Sequence, residues 1–280
     1  MKENLTSDND LANIDNKDLE KICAFFYNES GILLNSSKRT MIESRLGKRL
    51  HDLKINSYKE YISLLESHAE ERVRLINALT TNKTEFFRES DHFDFLTNQY
   101  LPQFHMKKAN KKMRIWSAAC SSGEEVYSLA LILSEFFEKT YYCDFKILGT
   151  DINTSVLDVA EKGVYSDDTI STIQPALLKK YFMRGINNNQ GCYKIRPEIM
   201  SVCKFRKFNI IKDVLPVEIR FDVIFCRNIL IYFKQDMIEL IVNRLYRMLN
   251  EGGLLFIGHS ESLIKIEHKF KNIGSAIYMK

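Results

Sequence analysis

The stretch Trp116-Ser-Ala-Ala-Cys-Ser-Ser-Gly-Glu-Glu125 is where residue types and spacing first suggest chemistry. A short β-like run precedes it and an amphipathic run follows, so it reads as the turn between a strand and a helix. In open α/β sheets, ligands bind where loops leave the carboxyl ends of the strands. The small side chains of this turn let a ligand approach its backbone. Its single glycine does not make the G-x-G-x-x-G of a dinucleotide site, and Glu124 and Glu125 would repel a pyrophosphate at the helix N-terminus. A nucleoside carrying positive charge, such as S-adenosylmethionine, suits the turn better. The alternative is that both glutamates only complement the helix dipole. Asp151 ends the next strand-like run, Leu148-Gly-Thr-Asp. There it can accept hydrogen bonds from ribose hydroxyls, or cap the helix that follows. Asn209 and the pair Arg227-Asn228 end two further runs, so polar groups recur at successive strand ends and line a crevice.

The elements that must hold these residues change character along the chain. The first ~105 residues read as helices. Leu19, Ile22 and Phe26 form one stripe ending at Gly31, and Ile42, Leu46, Leu50 and Leu53 form a second. Ser57 with Glu60 is a capping-box signature for a third helix, carrying Tyr58, Tyr61, Ile62 and Leu65. A fourth runs from Ala69 to Leu79, and a fifth lies around Phe93, Leu96 and Tyr100. Lys107 to Lys112 reads as a solvated connector. Beyond it strands alternate with helices: strands at 114–118, 145–150, 221–226 and 254–257, helices at 124–137, 154–161 and 237–249, and a closing antiparallel segment at 273–278. That alternation implies a doubly wound, largely parallel sheet. The turn chemistry of Gly185 to Gly191, flanked by Tyr193 to Arg196 and Val202 to Phe208, reads as an inserted antiparallel ribbon. The expected fold class is thus α/β, Rossmann-like. Residues 1–90 form a helical domain, 91–112 a helix and basic linker, and 113–280 the sheet domain, with the ribbon at about 181–208.

Composition narrows the function class. The 280 residues are 45% hydrophobic and 27% charged, with net charge +4. These are ordinary values for a globular domain, and the charge is too small to argue for nucleic acid. No apolar run reaches the ~18 residues of a membrane span, and the polar N-terminus lacks a signal sequence. The chain is expected to be cytoplasmic. Its six cysteines are scattered with no C-x-x-C pair, so neither a disulfide framework nor a structural metal is expected.

Five segments carry a resemblance. Thr80-Thr-Asn-Lys-Thr-Glu-Phe-Phe-Arg88, Trp116 to Ser128, Gly149-Thr-Asp151, Cys226-Arg-Asn-Ile-Leu-Ile-Tyr-Phe233 and Gly258-His-Ser-Glu-Ser262 occur in this order. They resemble the motifs of the chemotaxis receptor glutamate O-methyltransferases, the CheR family, from about Asp18 to the C-terminus. The resemblance implies an N-terminal helical domain, an S-adenosylmethionine-dependent methyltransferase domain and an inserted β-subdomain. It implies transfer of a methyl group to receptor glutamate side chains, with S-adenosylhomocysteine as product and no metal. Carried over by motif, Asn82, Thr84, Arg88, Glu125, Asp151, Asn209, Ile210, Arg227 and Asn228 bind the cofactor. Arg88 and Tyr232 are the residues expected to orient the reacting groups. Cys120 stands where a small residue is common and Val126 where proline often follows the glutamates, and neither change removes a functional group. Thr84 and Asn82 could instead cap a helix. Phe86, Phe87, Ile229, Ile231 and Phe233 read as core, and His259 as structural or loop-lining.

Lys38, Arg45, Lys48 and Arg49 fall within an arc of about 80° at ~100° per residue, on one flank of the second helix. Glu43 and Asp52 are the only acids nearby in sequence, so the flank reads as unbalanced. By resemblance it docks near the methylation sites on the cytoplasmic helices of chemoreceptors. Lys194 and Arg196 on the ribbon are expected to take an acidic or carboxylate-ended peptide from a receptor C-terminus. The chain is expected to act as a monomer. Two other readings remain: a non-catalytic cofactor-binding adaptor, and a nucleic-acid methyltransferase. The four prolines argue against the second, since none is paired and none precedes a cysteine.

Overall fold

A computed structural model describes residues 13–107, 112–140, 143–216 and 218–280. The chain divides into two compact units, Met1–Thr81 and Asn82–Lys280. The first is built of helices α1 (Asn16–Ser30), α2 (Arg39–Leu53), α3 (Tyr58–Ser67) and α4 (Ala69–Leu79). Their ends follow from local chemistry. The Asp15 side chain accepts from the backbone N–H of Asp18, and Gly31 closes α1 in the left-handed region at φ 75°. Ser57 accepts from the N–H of Glu60 at the start of α3. Both expected stripes are core: Leu19, Ile22, Phe26, Ile42, Leu46 and Leu50 are buried against Tyr61, Leu65, Leu75 and Leu79. Leu53 is only half-buried, because the helix ends there and Lys54 turns left-handed.

The flank that reads as unbalanced is not so in three dimensions. Glu71, 22 residues away on α4, receives Nε of Arg49 at 2.9 Å and Nη2 at 2.6 Å. Glu71 is buried, and the Tyr61 hydroxyl also donates to it at 3.1 Å. Burial and the adjoining carboxylate push the Tyr61 hydroxyl well above its ordinary range. Arg45 donates through Nη1 to the carbonyls of Ala78, Leu79 and Thr80, which end α4. Two of the four cations therefore tie α2 to α4. Lys38 and Lys48 remain exposed.

The second unit opens with α5 (Ser90–Phe95), a single π-turn at Leu96–Tyr100, and α6 (Leu101–Lys107). Most of the expected lysine connector lies outside the described residues. The sheet strands follow as β1 (Lys112–Ala118) and β2 (Asp144–Asp151), with α7 (Glu124–Lys139) between them. After α8 (Thr154–Lys162) and β3 (Val164–Ser166) come the short helices α9 (Asp167–Ile170) and α10 (Pro175–Tyr181). β4 (Phe182–Arg184), β5 (Cys192–Ile195), α11 (Pro197–Met200) and β6 (Cys203–Lys207) lead to β7 (Phe221–Cys226). α12 (Gln235–Met248), β8 (Leu249–Ile257), β9 (Lys271–Gly274) and β10 (Ile277–Met279) complete the unit. The main sheet has the order β6-β2-β1-β7-β8-β10-β9. Its first five strands are parallel, and β10 pairs antiparallel to β8 and β9.

Alternation along each strand sorts the core into two layers. Ile115, Val223, Phe225 and Phe256 pack with α5, α6 and α7 on one face. Trp116, Ile224, Leu255 and Ile257 pack with α12 on the other. The inserted ribbon needs a correction. Val202 to Phe208 does not belong to it: β6 is the edge strand of the main sheet, parallel to β2. The small antiparallel sheet is β3-β5-β4, so two of its strands, β3 and β4, come from residues before the Gly185 turn. Gly149 explains how β6 reaches its place. A Cβ there would lie 2.8 Å from both Phe205 and Val126, so only a bare backbone lets β6 and α7 close over β2.

His92 on α5 is fully buried, edge-on to Phe256 and to His259, with ring centroids 5.3 and 4.7 Å away. Among the described residues its Nδ1 has no hydrogen-bond partner, and it lies 3.7 Å from the Glu89 carboxylate. Burial, with the Arg227 charge, lowers its pKa to about 4, against weaker opposing contributions from Asp91 and the Ser275 carbonyl.

Two outcomes follow from these buried polar groups. Glu71→Ala leaves Arg49 and Tyr61 without their acceptor and should lower the unfolding free energy by about 2–4 kcal/mol, measured by urea denaturation. Between pH 6.5 and about 4 the unfolded chain holds a proton on His92 that the folded chain refuses. Stability should therefore be intact above this window and fall as the pH drops through it. His92→Phe should flatten that slope in melting curves taken across the window, and equal slopes would refute the assignment.

Candidate active site

The loops that leave β1, β2, β7 and β8 at their carboxyl ends meet the segment running from Asn82 to Glu89. At their centre is the buried guanidinium of Arg227. Its Nε and Nη2 donate to Glu89 Oε2 at 3.2 and 2.9 Å, and Nη1 donates to Glu125 Oε2 at 3.0 Å. Nη2 also donates to the carbonyl of Arg88. Ser117 on β1 donates to the other oxygen of Glu125 at 2.7 Å. The two acids respond differently to the cation they share. Enclosure lifts the Glu125 carboxyl above its ordinary value, and Arg227 and Ser117 only partly offset this. Burial also works to raise Glu89, but Arg227 and the Asn228 amide outweigh it and hold the group low. Glu124 turns aside to accept the Ser122 hydroxyl, so Glu125 alone of the pair reaches the centre.

The β1–α7 turn is tied to β2. The N–H groups of Ala119 and Cys120 donate to the Thr150 carbonyl, and that of Ser121 to Asp151 Oδ2 at 2.9 Å. Asp151 Oδ1 accepts from Asn153 N at 2.9 Å. Burial raises the Asp151 carboxyl despite these backbone donors. Asn153, not Asp151, caps α8. Ala119, Ser121 and Gly123 all have positive φ, at 72°, 50° and 96°. At Gly123 a Cβ would come within 2.9 Å of Ala160, so glycine is required twice over. Tyr165 on β3 donates its hydroxyl to the Ser122 carbonyl at 2.7 Å.

The Asn82–Glu89 segment is anchored from both sides. Ser121 Oγ donates to the Asn82 carbonyl at 3.0 Å, and Phe87 N donates to Ser128 Oγ on α7 at 2.9 Å. Phe87 and Glu89 are left-handed, at φ 56° and 54°. No helix begins at Asn82 or Thr84, which removes the capping alternative for both. Arg88 is half-buried and donates through Nη1 to the Lys83 carbonyl.

After β7, Asn228 is left-handed at φ 57°, and its Nδ2 donates to Glu89 Oε1 at 3.1 Å. Leu230–Tyr232 form a 3-10 turn. Tyr232 is half-buried, and its hydroxyl has no hydrogen-bond partner among the described residues. Ile231, expected in the core, is 54% exposed, because the turn points it outward. Asn209 is buried at the end of β6, where its Oδ1 accepts from Ile211 N at 2.9 Å and its own N–H donates to Asp213. Ile210 beside it is half-buried.

Ser121 separately links Asn82 to Asp151, while hydrogen bonds join Arg88, Glu125, Arg227 and Asn228 in one network. Thr84, Ile210 and Tyr232 are not bonded into it. Lys194 lies exposed on the central strand of the small sheet and Arg196 just past it, while the α2 cations belong to the helical unit. Sequence reasoning passed over Glu89, Ser117 and Glu261. Glu261 lay inside a quoted motif without a role, and only its fold neighbours reveal what it does. Glu89, His92 and His259 bring ligand atoms within 4.8 Å of one another. Arg227 and Asn228 already occupy the Glu89 carboxylate, and a second cation would be set beside a buried guanidinium. The His259 ring instead lies 3.0 Å from the Asp91 carboxylate.

The donor set suits a cationic nucleoside. Carboxylates at 125 and 151 flank a turn of small residues, and no basic side chain of that turn awaits a phosphate. Residues 82–279 match the family profile described as "CheR methyltransferase, SAM binding domain", and residues 17–80 match "CheR methyltransferase, all-alpha domain". The chain is 37% identical to the chemotaxis protein methyltransferase of Escherichia coli over 92% of its length and 88% of that protein. It is 35% identical to chemotaxis protein methyltransferase 2 of Pseudomonas aeruginosa, covering 94% and 92% of the two chains. With the Borreliella burgdorferi chemotaxis protein methyltransferase it shares 36% identity over 96% and 95%. Profiles covering both units, and relatives matched nearly end to end, show that this chain is a member of the CheR methyltransferase family.

Proposed function

We propose that the chain transfers the methyl group of S-adenosylmethionine to glutamate side chains of methyl-accepting chemotaxis receptors, forming methyl esters. The observation that carries this reading is the acidic centre around Arg227, whose guanidinium pairs with Glu89 and Glu125 and also holds the Arg88 carbonyl. The methyl donor supplies a methyl group bonded to a positively charged sulfur, open to in-line displacement. Asp151 and Asn209 would hold its nucleoside, with Ile210 against the base, while Glu125 and Asp151 offer negative charge to its cationic end. Asn82 and Thr84 would close over it.

The incoming group needs no base. A glutamate has a pKa near ~4.3 and is ionised at neutral pH, so the site has only to orient it and exclude water. Combining an anion with a cationic donor removes charge, which a water-poor crevice favours over bulk water. Arg88 and Tyr232 are the groups placed in sequence to orient the carboxylate or the donor. Arg227 and Asn228 act by holding Glu125, Glu89 and the Arg88 backbone in place.

Receptor engagement would draw on two further features. Lys38, in the 3-10 turn just before α2, and Lys48 on α2 are the exposed cations of this flank and face an acid-rich substrate best, since Arg45 and Arg49 have internal partners. The small sheet offers β3 and β4 as edges on either side of the central β5, and strand addition there would capture an extended receptor tail. The exposed Lys194, with Arg196 beyond it, favours an acidic or carboxylate-ended peptide.

Incubation with radiolabelled methyl donor and receptor-bearing membranes tests the central reading. Label should enter the receptor and be released by mild base, as an ester requires, and absence of transfer would favour the adaptor role. Asp151→Ala should weaken donor binding by about 1–3 kcal/mol in calorimetry, and unchanged affinity would remove Asp151 from the site. The substrate features separate in one comparison of tail-bearing and tail-less receptors. Lys38→Glu with Lys48→Glu should slow methylation of both, most at low salt, whereas Lys194→Glu should slow only the tail-bearing receptor. Equal rates at low salt, or equal losses on both receptors, would discard the respective feature.

A further inference from the structure

The turn that follows β7 has to present Arg227, Asn228 and Tyr232 in fixed positions, yet it leaves the sheet and loses its ladder partners. One side chain replaces them. Glu261 lies 9% exposed in the loop after β8. Its Oε2 accepts from the backbone N–H of Asn228 at 2.9 Å and of Gly258 at 2.6 Å. Its Oε1 accepts from Leu230 N at 2.7 Å. The loop can approach this closely only because residue 258 is glycine: a Cβ there would stand 2.3 Å from Asn228 Nδ2. That same Nδ2 donates to Glu89, so the anchor of the turn leads directly into the central network.

We infer that Glu261 is a positioning residue for methyl transfer, its carboxylate fixing the 228–230 backbone so that Asn228 and Tyr232 stand where the reaction needs them. The role rests on the methyl-transfer reading of this site. Three N–H groups on two oxygens require an acceptor-only group. A carboxylate satisfies all three, whereas an amide of the same shape turns its own donors against at least one of them. The left-handed Asn228 raises the demand further, because a strained residue keeps its conformation only where its surroundings over-determine it. Glu261 touches neither the transferred methyl nor the receptor in this account. It acts through the turn.

The test uses the full chain with donor and receptor membranes, wild type measured alongside. Wild-type turnover separates failure of the methyl-transfer reading from failure of this role. Glu261→Gln should lower kcat roughly tenfold to hundredfold, the scale set by sub-ångström misplacement of reacting groups. Its receptor KM should stay within about twofold of wild type, since the receptor docks chiefly through Lys38, Lys48 and the small sheet, which the substitution leaves alone. Glu261→Asp keeps the charge on a shorter arm and should retain more kcat than the isosteric Gln variant, the opposite of the order expected from packing alone. Melting curves give the folded fraction of each, to which kcat is normalised. A Gln variant with wild-type kcat, or an Asp variant less active than Gln per folded molecule, would overturn the assignment.

Discussion

One buried cation organises the second unit. The Arg227 guanidinium holds Glu89 and Glu125 together, and through the Arg88 carbonyl it fixes the backbone beside them. Taking such a charge out of water is costly unless it is closely paired, and removing one partner leaves the others uncompensated. The network therefore forms as a whole or not at all. It joins residues 89, 125 and 227, from three separate stretches of chain, and so commits the segment before α5, the start of α7 and the end of β7 to one arrangement. Two acids on one cation also keep the crevice net negative, a suitable reception for a positively charged donor.

Backbone strain clusters around the same centre. Phe87, Glu89, Ala119, Ser121 and Asn228 are non-glycine residues with positive φ, and all lie in the segments that build the site. Each such conformation costs of order 1–3 kcal/mol and survives only where the surroundings impose it. Those surroundings are visible: Ser128 holds the N–H of Phe87, Asp151 that of Ser121, and Glu261 that of Asn228. Buried hydrogen-bond acceptors therefore stabilise a tight crevice that the loops would not adopt unaided.

Much of this architecture was legible in the sequence because it rests on local signals. Apolar periodicity located the helices and strands, and small residues before Glu125 marked the turn. What stayed hidden depends on distant partners. Arg49 reads as a surface cation until Glu71 is brought to it from the next helix but one. Val202 to Phe208 has the pattern of a strand, but nothing in that pattern says whether its neighbour is β2 or β5. Glu89 and Glu261 look like ordinary loop acids, since neither a carboxylate paired with a distant arginine nor one that accepts distant backbone N–H groups has a motif of its own. Ile231 shows the converse limit: an apolar run suggested burial, and a single 3-10 turn reversed one side chain.

The Tyr165 hydroxyl gives the small sheet more than a peripheral place. It reaches from β3 to the Ser122 carbonyl in the β1–α7 turn, while its ring stands edge-on to Phe86 at 5.0 Å. The inserted element is thus mortised into the β1–α7 turn and cannot be exchanged as a free-standing module. A graft of another family member's ribbon between Lys162 and Cys203 would have to carry an aromatic hydroxyl at the β3 position, or the recipient's turn would lose its brace. Substitutions in the insert are then better tolerated at its far edge and its loop than on the face toward Ser122, where the hydroxyl of Tyr165 must stay in reach.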